Sequence, residues 1–419
     1  NPILTREVAK KPQEAQSIFA TSFWIKIVLI FFTALLIIFV APYFSKIESA
    51  KPLLIFAAIL TIFDGIREFS IAFFRAREKM ELEALITTVT NIAITIFGFV
   101  ILNSTPTASA LAITYAFAAG TGTIIGIFIL RKEFGGLFKY FKKELLKPIL
   151  ISAWPIAFIF LIGVFMLNVD IVMLGFLRTA EEVGFYSAGQ KIVQLLYVVS
   201  AVLAASFYPV FSKLVEEKNH EKTRQLMERG TTISLLLALP LALGGIVLAP
   251  EIIQLLYGSE YGPAVLAFQI LLLTMISNFL APHLSNYIMA YDKQKLVPAI
   301  VLMGSMANVI FNLILIRPYG PAGAAAATVI AQIIFQGLLW CWSKRINNFY
   351  TLRHLKKIIL ATFVMGLVAV ALQGTGAHVL INIAISALAY FATLFLLKEK
   401  TIVDVQNFLL RRRVDSLQE

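Results

Sequence analysis

Twelve apolar runs follow one another along this chain, at about 18–41, 52–74, 84–102, 108–130, 149–175, 184–211, 230–249, 262–285, 296–316, 320–342, 357–373 and 377–397. Each is near the ~20 residues that an α-helix needs to cross a bilayer. Hydrocarbon offers no water to backbone N–H and C=O groups, so runs of this kind must satisfy them internally, as helices. Composition agrees: 59% of the 419 residues are hydrophobic and 14% are charged, against about 45–50% and about 25% in soluble domains. The fold class expected is an all-α polytopic membrane protein with twelve transmembrane helices in this chain.

Between the runs the charges alternate. The connections 1–17, 75–83, 131–148, 212–229, 291–295, 343–357 and 398–419 hold 29 of the 36 Lys and Arg residues. The other connections hold only Lys46, Lys51, Arg178 and Arg317, and Lys26, Arg67 and Lys191 lie inside runs. By the positive-inside rule the cation-rich set is cytoplasmic, which puts both ends of this chain inside the cell membrane. The net charge of +12 is therefore a topology signal. A nucleic-acid partner would want the cations gathered on one face. Cys341 is the single cysteine, so no disulfide forms within the chain.

The longest internal connection, 131–148, places Phe134, Leu137, Phe138, Phe141 and Leu145 at helical spacing, with Lys139, Lys142, Lys143 and Lys147 on the other side. This predicts an amphipathic linker helix, lying on the cytoplasmic leaflet or packed on the protein.

The two halves repeat. Phe73, Ala76, Lys79, Leu82, Ser109, Ala110, Ala112 and Thr114 stand 214 positions before Tyr287, Ala290, Lys293, Leu296, Gly323, Ala324, Ala326 and Thr328. Ala41-Pro42 answers Ala249-Pro250 at 208, and Pro2 answers Pro209 at 207. On this spacing the counterparts of runs 149–175 and 184–211 fall upstream of Asn1, so two helices are expected to precede it. The organisation expected is an N-terminal lobe of four helices over 1–130, the linker 131–148, a six-helix lobe over 149–342, a helix pair over 343–397 and a cytoplasmic tail over 398–419. Parallel repeats of this sort are a known transporter plan.

Several ordered stretches resemble one family. They are Asp170-Ile171-Val172-Met173-Leu174-Gly175, then Val183-Gly184-Phe185-Tyr186-Ser187-Ala188, then Leu256-Tyr257-Gly258-Ser259-Glu260-Tyr261, then the small-residue run from Gly320 to Thr328. Together they resemble the polysaccharide-export flippases of the multidrug/oligosaccharidyl-lipid/polysaccharide exporter superfamily. The resemblance covers essentially the whole chain. It implies two helical lobes around a central cavity, alternating access, and export of undecaprenyl-type lipid-linked oligosaccharide across the cytoplasmic membrane for cell-surface polysaccharide. Membrane lipids and polysaccharide assembly proteins are the implied partners, and no cofactor is implied.

Asp64-Gly65-Ile66-Arg67-Glu68 interrupts the run 52–74. Each charge costs roughly 2.5–3.5 kcal/mol or more at a helix centre in lipid. Asp64 and Glu68, four apart, share one helix face, and Arg67 lies beside them. The cluster is either an ion pair locking two helices or part of a substrate pathway. Arg67 and Lys26 are the candidate ligands for a diphosphate headgroup, arginine because its fork grips phosphate. Pairing of Arg67 with its acidic neighbours and snorkelling of Lys26 to the interface are the structural alternatives. Asp64 and Glu68 are the candidate coupling residues: a carboxylate that loses Arg67 to a headgroup is costly to keep ionised and becomes a place for a proton. Asp170 and Lys191 are expected to pair, structurally or as a gate. Asn168, Asn286, Asn308, Asn312, Gln332 and Gln336 add polar groups inside runs, where they bridge helices or meet sugar.

An enzyme is disfavoured, because His220, His283, His354 and His378 are scattered and no metal-ligand cluster or phosphate-cradling glycine loop occurs. A membrane glycosyltransferase or polymerase would carry a larger catalytic loop. An organic-cation antiporter of the same superfamily is the nearer rival, and it would favour acids over the cations Lys26, Arg67 and Lys191 in its cavity.

Overall fold

The computed structural model describes residues 1–44, 48–350 and 355–399. Lys46, His354 and the tail expected over 398–419, from residue 400 on, lie outside the described residues. Among the described residues every regular element is helical. In order they are α1 (Pro2–Lys10), α2 (Ala15–Leu35), α3 (Ala41–Phe44), α4 (Leu53–Ala76), α5 (Met80–Ser104), α6 (Ala108–Ile129), α7 (Arg131–Gly135) and α8 (Leu146–Leu177). There follow α9 (Ala180–Glu216), α10 (His220–Val247), α11 (Ala249–Tyr257), α12 (Ala264–Leu272), α13 (Thr274–Ala290), α14 (Leu296–Ile346), α15 (Leu355–Gln373) and α16 (Val379–Leu396). Nine helices among the described residues are long and apolar enough to cross a membrane, so this is a multi-pass membrane protein. α4 is of comparable length; Asp64, Arg67 and Glu68 set it apart.

The chain divides into two compact units, 1–167 and 168–419, the division falling inside α8. In the first unit α4 packs between α2 and α6. The core at one end of that packing is aromatic, with the Phe19 ring tilted against Phe73 at 4.6 Å and against Phe69 at 5.1 Å between centroids. In the second unit Tyr186, Phe268, Met275 and Phe279 form a fully or nearly fully buried core with Ala324 and Ala325. α15 and α16 are tied to it where the Tyr390 hydroxyl donates to the Leu236 carbonyl at 2.7 Å.

Local sequence sets the helix ends. Thr179 and Glu182 form a reciprocal capping box at the start of α9, and Thr107 and Asn219 cap α6 and α10. Glu78 and Asp292 both adopt φ of 58° in left-handed caps. They stand 214 positions apart, the spacing of the sequence repeat. Their bonds repeat too: Lys79 N–H donates to the Phe74 carbonyl and Lys293 N–H to the Ile288 carbonyl.

The single linker helix expected over 131–148 is not formed. α7 stops at Gly135, a turn runs to Tyr140, and only a 3-10 turn over Lys143–Leu145 precedes α8. Gly135-Gly136 is the cause, since each glycine costs a helix interior up to about 1 kcal/mol. Packing rewards the break. The Phe134 ring meets Phe19 and Phe23 edge-on at 5.3 and 5.2 Å. Lys142 N–H donates to the Thr21 hydroxyl at 3.1 Å. The segment is therefore fastened to α2.

The runs 296–316 and 320–342 are the two arms of α14, which breaks at Gly320 with φ 54° and ψ −130°. Across the break, Asn308 donates to the Thr328 hydroxyl at 3.3 Å. A Cβ on Gly304 would come within 2.9 Å of Phe335. Rising residue numbers on one arm thus meet falling numbers on the other, and the arms are antiparallel. Arg178 crosses from the α8–α9 connection and donates to the carbonyls of Ile316 and Arg317 at 3.1 and 2.6 Å, closing the end of the first arm. Gly320→Ala is expected to cost about 2–3 kcal/mol, because a side chain is strained at this backbone conformation. A Cβ there also meets Glu182 Oε1 at 2.7 Å. A lowered melting temperature for Gly320→Ala, beside an unchanged Gly337→Ala, is the measurement; equal temperatures would show that the turn tolerates a side chain.

Candidate functional site

In the first unit the sequence candidates converge. α2 crosses α4 at Gly65, where a Cβ would lie 2.5 Å from Ile30 Cδ1 and 3.6 Å from Lys26 Cε. The missing side chain lets Lys26 lie along the charged turn of α4. Lys26, Thr61, Asp64 and Glu68 line one cleft of about 400 Å³. Arg67 joins the set through its neighbours: one guanidinium nitrogen is 3.1 Å from Asp64 Oδ1 and 3.3 Å from Glu68 Oε1. The placement is asymmetric. The Arg67 side chain is 15% exposed, whereas Asp64 and Glu68 are 42% and 47% exposed. Its stem packs toward α6, with Cδ 3.0 Å from where a Gly122 Cβ would stand. Its Nε is buried without a hydrogen-bond partner. Arg67 is therefore not a wall of the cleft; it stands behind the two carboxylates that are.

The ion pair expected between Asp170 and Lys191 is not formed. Lys191 is exposed, while Asp170 is 3% exposed. Tyr186 on α9 already faces Asp170, and Lys191, five residues on, projects about 140° further round the helix.

Asp170 instead accepts three hydrogen bonds from neutral donors. They are the Tyr186 hydroxyl at 2.8 Å, the Thr328 hydroxyl at 2.8 Å and Asn312 Nδ2 at 2.6 Å. Asn312 Nδ2 also reaches Asn308 Oδ1 at 2.6 Å, and Asn312 Oδ1 is buried with no hydrogen-bond partner. Three elements assemble this network: α8, α9 and the folded α14, whose break brings Thr328 beside Asn308. Sequence reasoning marked Asn308 and Asn312 only as polar groups in a run, and gave Tyr186 and Thr328 no role. The available signal was the i, i+4 pair Asn308 and Asn312 on one helix face. An intramembrane carboxylate among hydroxyl and amide oxygens offers the donor chemistry that suits a proton or a small hard cation. Among the described residues no group of three His, Cys, Asp or Glu could hold a metal.

Comparison with known proteins agrees with the helical layout. The sequence profile of the family described as Polysaccharide biosynthesis protein matches residues 1–215, and that of MatE matches 155–314. Two curated relatives come from Haloferax volcanii: the probable low-salt glycan biosynthesis flippase Agl15, 25% identical over 169 residues, and the probable flippase AglR, 25% identical over 172 residues. Those matches take in 40% and 39% of this chain but only 36% and 35% of the relatives, so the chain spans about a third of the length of the curated relatives it matches. Among solved structures, the lipid II flippase MurJ in its inward closed conformation is similar with a TM-score of 0.75 and 20% identity, over 95% of this chain and 88% of that one. An inward-facing MATE multidrug resistance transporter is similar with a TM-score of 0.67 and 14% identity, over 82% and 83%. At these identities the structures speak to the fold alone. The family profile spans just over half of the chain, and the ordered motifs, the broken α14 and the MurJ-like fold run with it: the chain belongs to the polysaccharide biosynthesis protein family, within the multidrug/oligosaccharidyl-lipid/polysaccharide exporter superfamily.

Proposed function

We propose that this protein is a flippase that carries a lipid-diphosphate-linked oligosaccharide across the cytoplasmic membrane by alternating access, for the building of a cell-surface polysaccharide. The observation that carries the reading is Lys26. It is a cation at the wall of a polar cleft in an otherwise apolar helix, in a member of a polysaccharide biosynthesis family. The headgroup meets Lys26 first. Arg67, behind Asp64 and Glu68, then competes between carboxylate and phosphate. A carboxylate that Arg67 releases is free to exchange a proton, which links cargo binding to a two-state change of a few kcal/mol. Twelve spans fit this reading: α4 and the bent α8 add to the nine apolar helices, and α14, one of the nine, supplies two spans through its antiparallel arms. The cation-rich connections and both ends of this chain face the cytoplasm.

A second reading has its own support. Asp64 and Glu68, rather than Arg67, line the cleft, and a net acidic wall suits an organic cation. A binding comparison separates the two. Purified protein is expected to bind undecaprenyl diphosphate at least about tenfold more tightly than lipophilic cations of similar chain size, and Lys26→Gln is expected to erase that preference. Tighter binding of the cations would establish the antiporter reading instead.

A further inference from the structure

Prolines in the second unit share one arrangement. Proline has no N–H, so the carbonyl four residues before it loses its helical donor. Pro240, inside α10, frees the Leu236 carbonyl, which accepts from the Tyr390 hydroxyl at 2.7 Å. Pro282, inside α13, frees that of Asn278, which accepts from the Ser200 hydroxyl at 2.7 Å. Pro250, at the start of α11, offers nothing to Ile246 at the end of α10, and Gln269 Nε2 donates to that carbonyl at 3.0 Å. Hydrocarbon supplies no water to a freed carbonyl, so in each case a side chain from another helix takes the place of the missing N–H.

Pro240 differs in the source of its donor. Ser200 and Gln269 belong to the six-helix lobe, whereas Tyr390 is on α16, in the helix pair that follows it. The same pair grips α10 beyond the proline. A Cβ on Gly366 of α15 would lie 3.0 Å from Leu243 Cδ2, and one on Gly244 would lie 3.1 Å from Met365 Cε. Further out, Gln373 Nε2 donates to the Val247 carbonyl at 2.8 Å. The Tyr390 hydroxyl also has a second partner at hand, the Thr362 hydroxyl on α15. Thr362 donates to the Ile358 carbonyl at 2.8 Å, and its oxygen can still accept.

We propose that α10 hinges at Pro240 during transport and that the α15–α16 pair sets the bend, the Tyr390 hydroxyl moving between the Leu236 carbonyl and Thr362. The inference rests on alternating access, not on the choice of cargo. Bending at Pro240 costs α10 no hydrogen bond there, because Leu236 has no helical donor to give up. The one bond lost is made by Tyr390, and Thr362 replaces it. The two positions of the hydroxyl are thus close in energy, as a two-state element requires. Beyond Pro240, α10 travels with the pair, because Leu243 and Met365 seat against glycines and Gln373 holds Val247.

The test reads the hinge as a distance and needs no cargo. Spin labels are placed at Lys222→Cys and Gln254→Cys, exposed positions on α10 and α11 to either side of Pro240, with the exposed Cys341 changed to Ser. In reconstituted vesicles, with and without an imposed proton gradient, pulsed electron resonance is expected to show two distances. Tyr390→Phe keeps the ring and removes the hydroxyl, and is expected to change the ratio of the two populations by about fivefold, the worth of one hydrogen bond. Pro240→Ala restores the N–H that Leu236 lacks. It is expected to leave one distance and to silence Tyr390→Phe, so that the double variant matches Pro240→Ala alone. Melting temperatures are read alongside. A lower melting temperature in Tyr390→Phe with wild-type distances makes the hydroxyl a plain structural bond and overturns the proposal. A single distance in the wild type under both conditions overturns the hinge. Equal effects of Tyr390→Phe with and without Pro240 overturn the link between them. The flippase reading stands through all three, since it falls only with the binding comparison of lipid diphosphate and cation.

Discussion

Arg67→Ala is expected to abolish export of the lipid-linked oligosaccharide, by at least about a hundredfold, while the protein remains in the membrane. The reasoning starts from the asymmetry of the cluster. Arg67 is nearly enclosed and reaches both Asp64 and Glu68, which themselves open to the cleft. Removing one partner of a fully buried pair costs 3–5 kcal/mol, and of an exposed pair 0–1. With both carboxylates almost half exposed, the loss should fall between, at about 2 kcal/mol. That leaves a folded protein with two acids facing the headgroup and no cation behind them. Arg67→Lys should restore the contacts with the carboxylates, which one nitrogen makes, but recover only part of export, because an ammonium cannot grip phosphate with a planar fork. Asp64→Asn and Glu68→Gln separate coupling from mere neutralisation. Both keep shape and hydrogen bonding and lose the titration. Each is expected to lower gradient-driven export about tenfold with cargo binding retained. Normal export by Arg67→Ala removes Arg67 from the mechanism. Normal export by both amide variants over a range of imposed pH gradients makes the acids structural.

What the sequence made legible, and what it did not, follows from the range of each interaction. Apolar runs and their lengths are local, so α2, α5, α6, α9 and α10 lie where the runs predict. The charged turn of α4 was legible for the same reason: spacing of three on a helix brings Arg67 to Asp64, and Glu68, the next residue, also comes within reach. Local patterning also misled. Phe134, Leu137, Phe138, Phe141 and Leu145 have helical spacing, yet Gly135-Gly136 and the pull of Phe19 and Phe23 on Phe134 break the linker. Periodicity weighs every position alike, whereas one aromatic anchor and two glycines decide the outcome. Pairing between helices was the least legible. Asp170 and Lys191 look complementary by charge and separation, but charge says nothing about helix rotation. The partners of Asp170 turned out to be a neutral set on α9 and the two arms of α14, one of them 158 positions away. Only the turn at Gly320 brings that set together.

Asp170→Ala is expected to reduce the stability of the second unit by on the order of 4 kcal/mol, among the largest effects a single substitution has. The carboxylate is the common acceptor of Tyr186, Thr328 and Asn312, and it is 3% exposed. Alanine strands three donors where water does not reach, and each stranded buried group costs about 1–3 kcal/mol. Thr328 can turn its hydroxyl to the Ala324 carbonyl, 3.0 Å away, and Asn312 keeps its bond to Asn308 Oδ1. Tyr186, fully buried against the core of the unit, is left with the neighbouring Thr328 hydroxyl. Asp170→Asn tests whether charge or hydrogen bonding matters. Its carbonyl can still accept from Asn312, and its NH2, in the place of Oδ2, can donate to the Tyr186 and Thr328 oxygens, because a hydroxyl plays either role. A loss of about 1 kcal/mol is therefore expected for Asp170→Asn. The two variants also divide by function. If the charge of Asp170 serves transport, Asp170→Asn should stay folded at the assay temperature despite that small loss, yet export at least about tenfold more slowly. Thermal unfolding of the purified variants, followed by export from reconstituted vesicles, gives both numbers. Wild-type stability in Asp170→Ala would mean that the three donors find other acceptors and that the network does not hold α8, α9 and the arms of α14 together. Wild-type export in Asp170→Asn would reduce Asp170 to a structural acceptor.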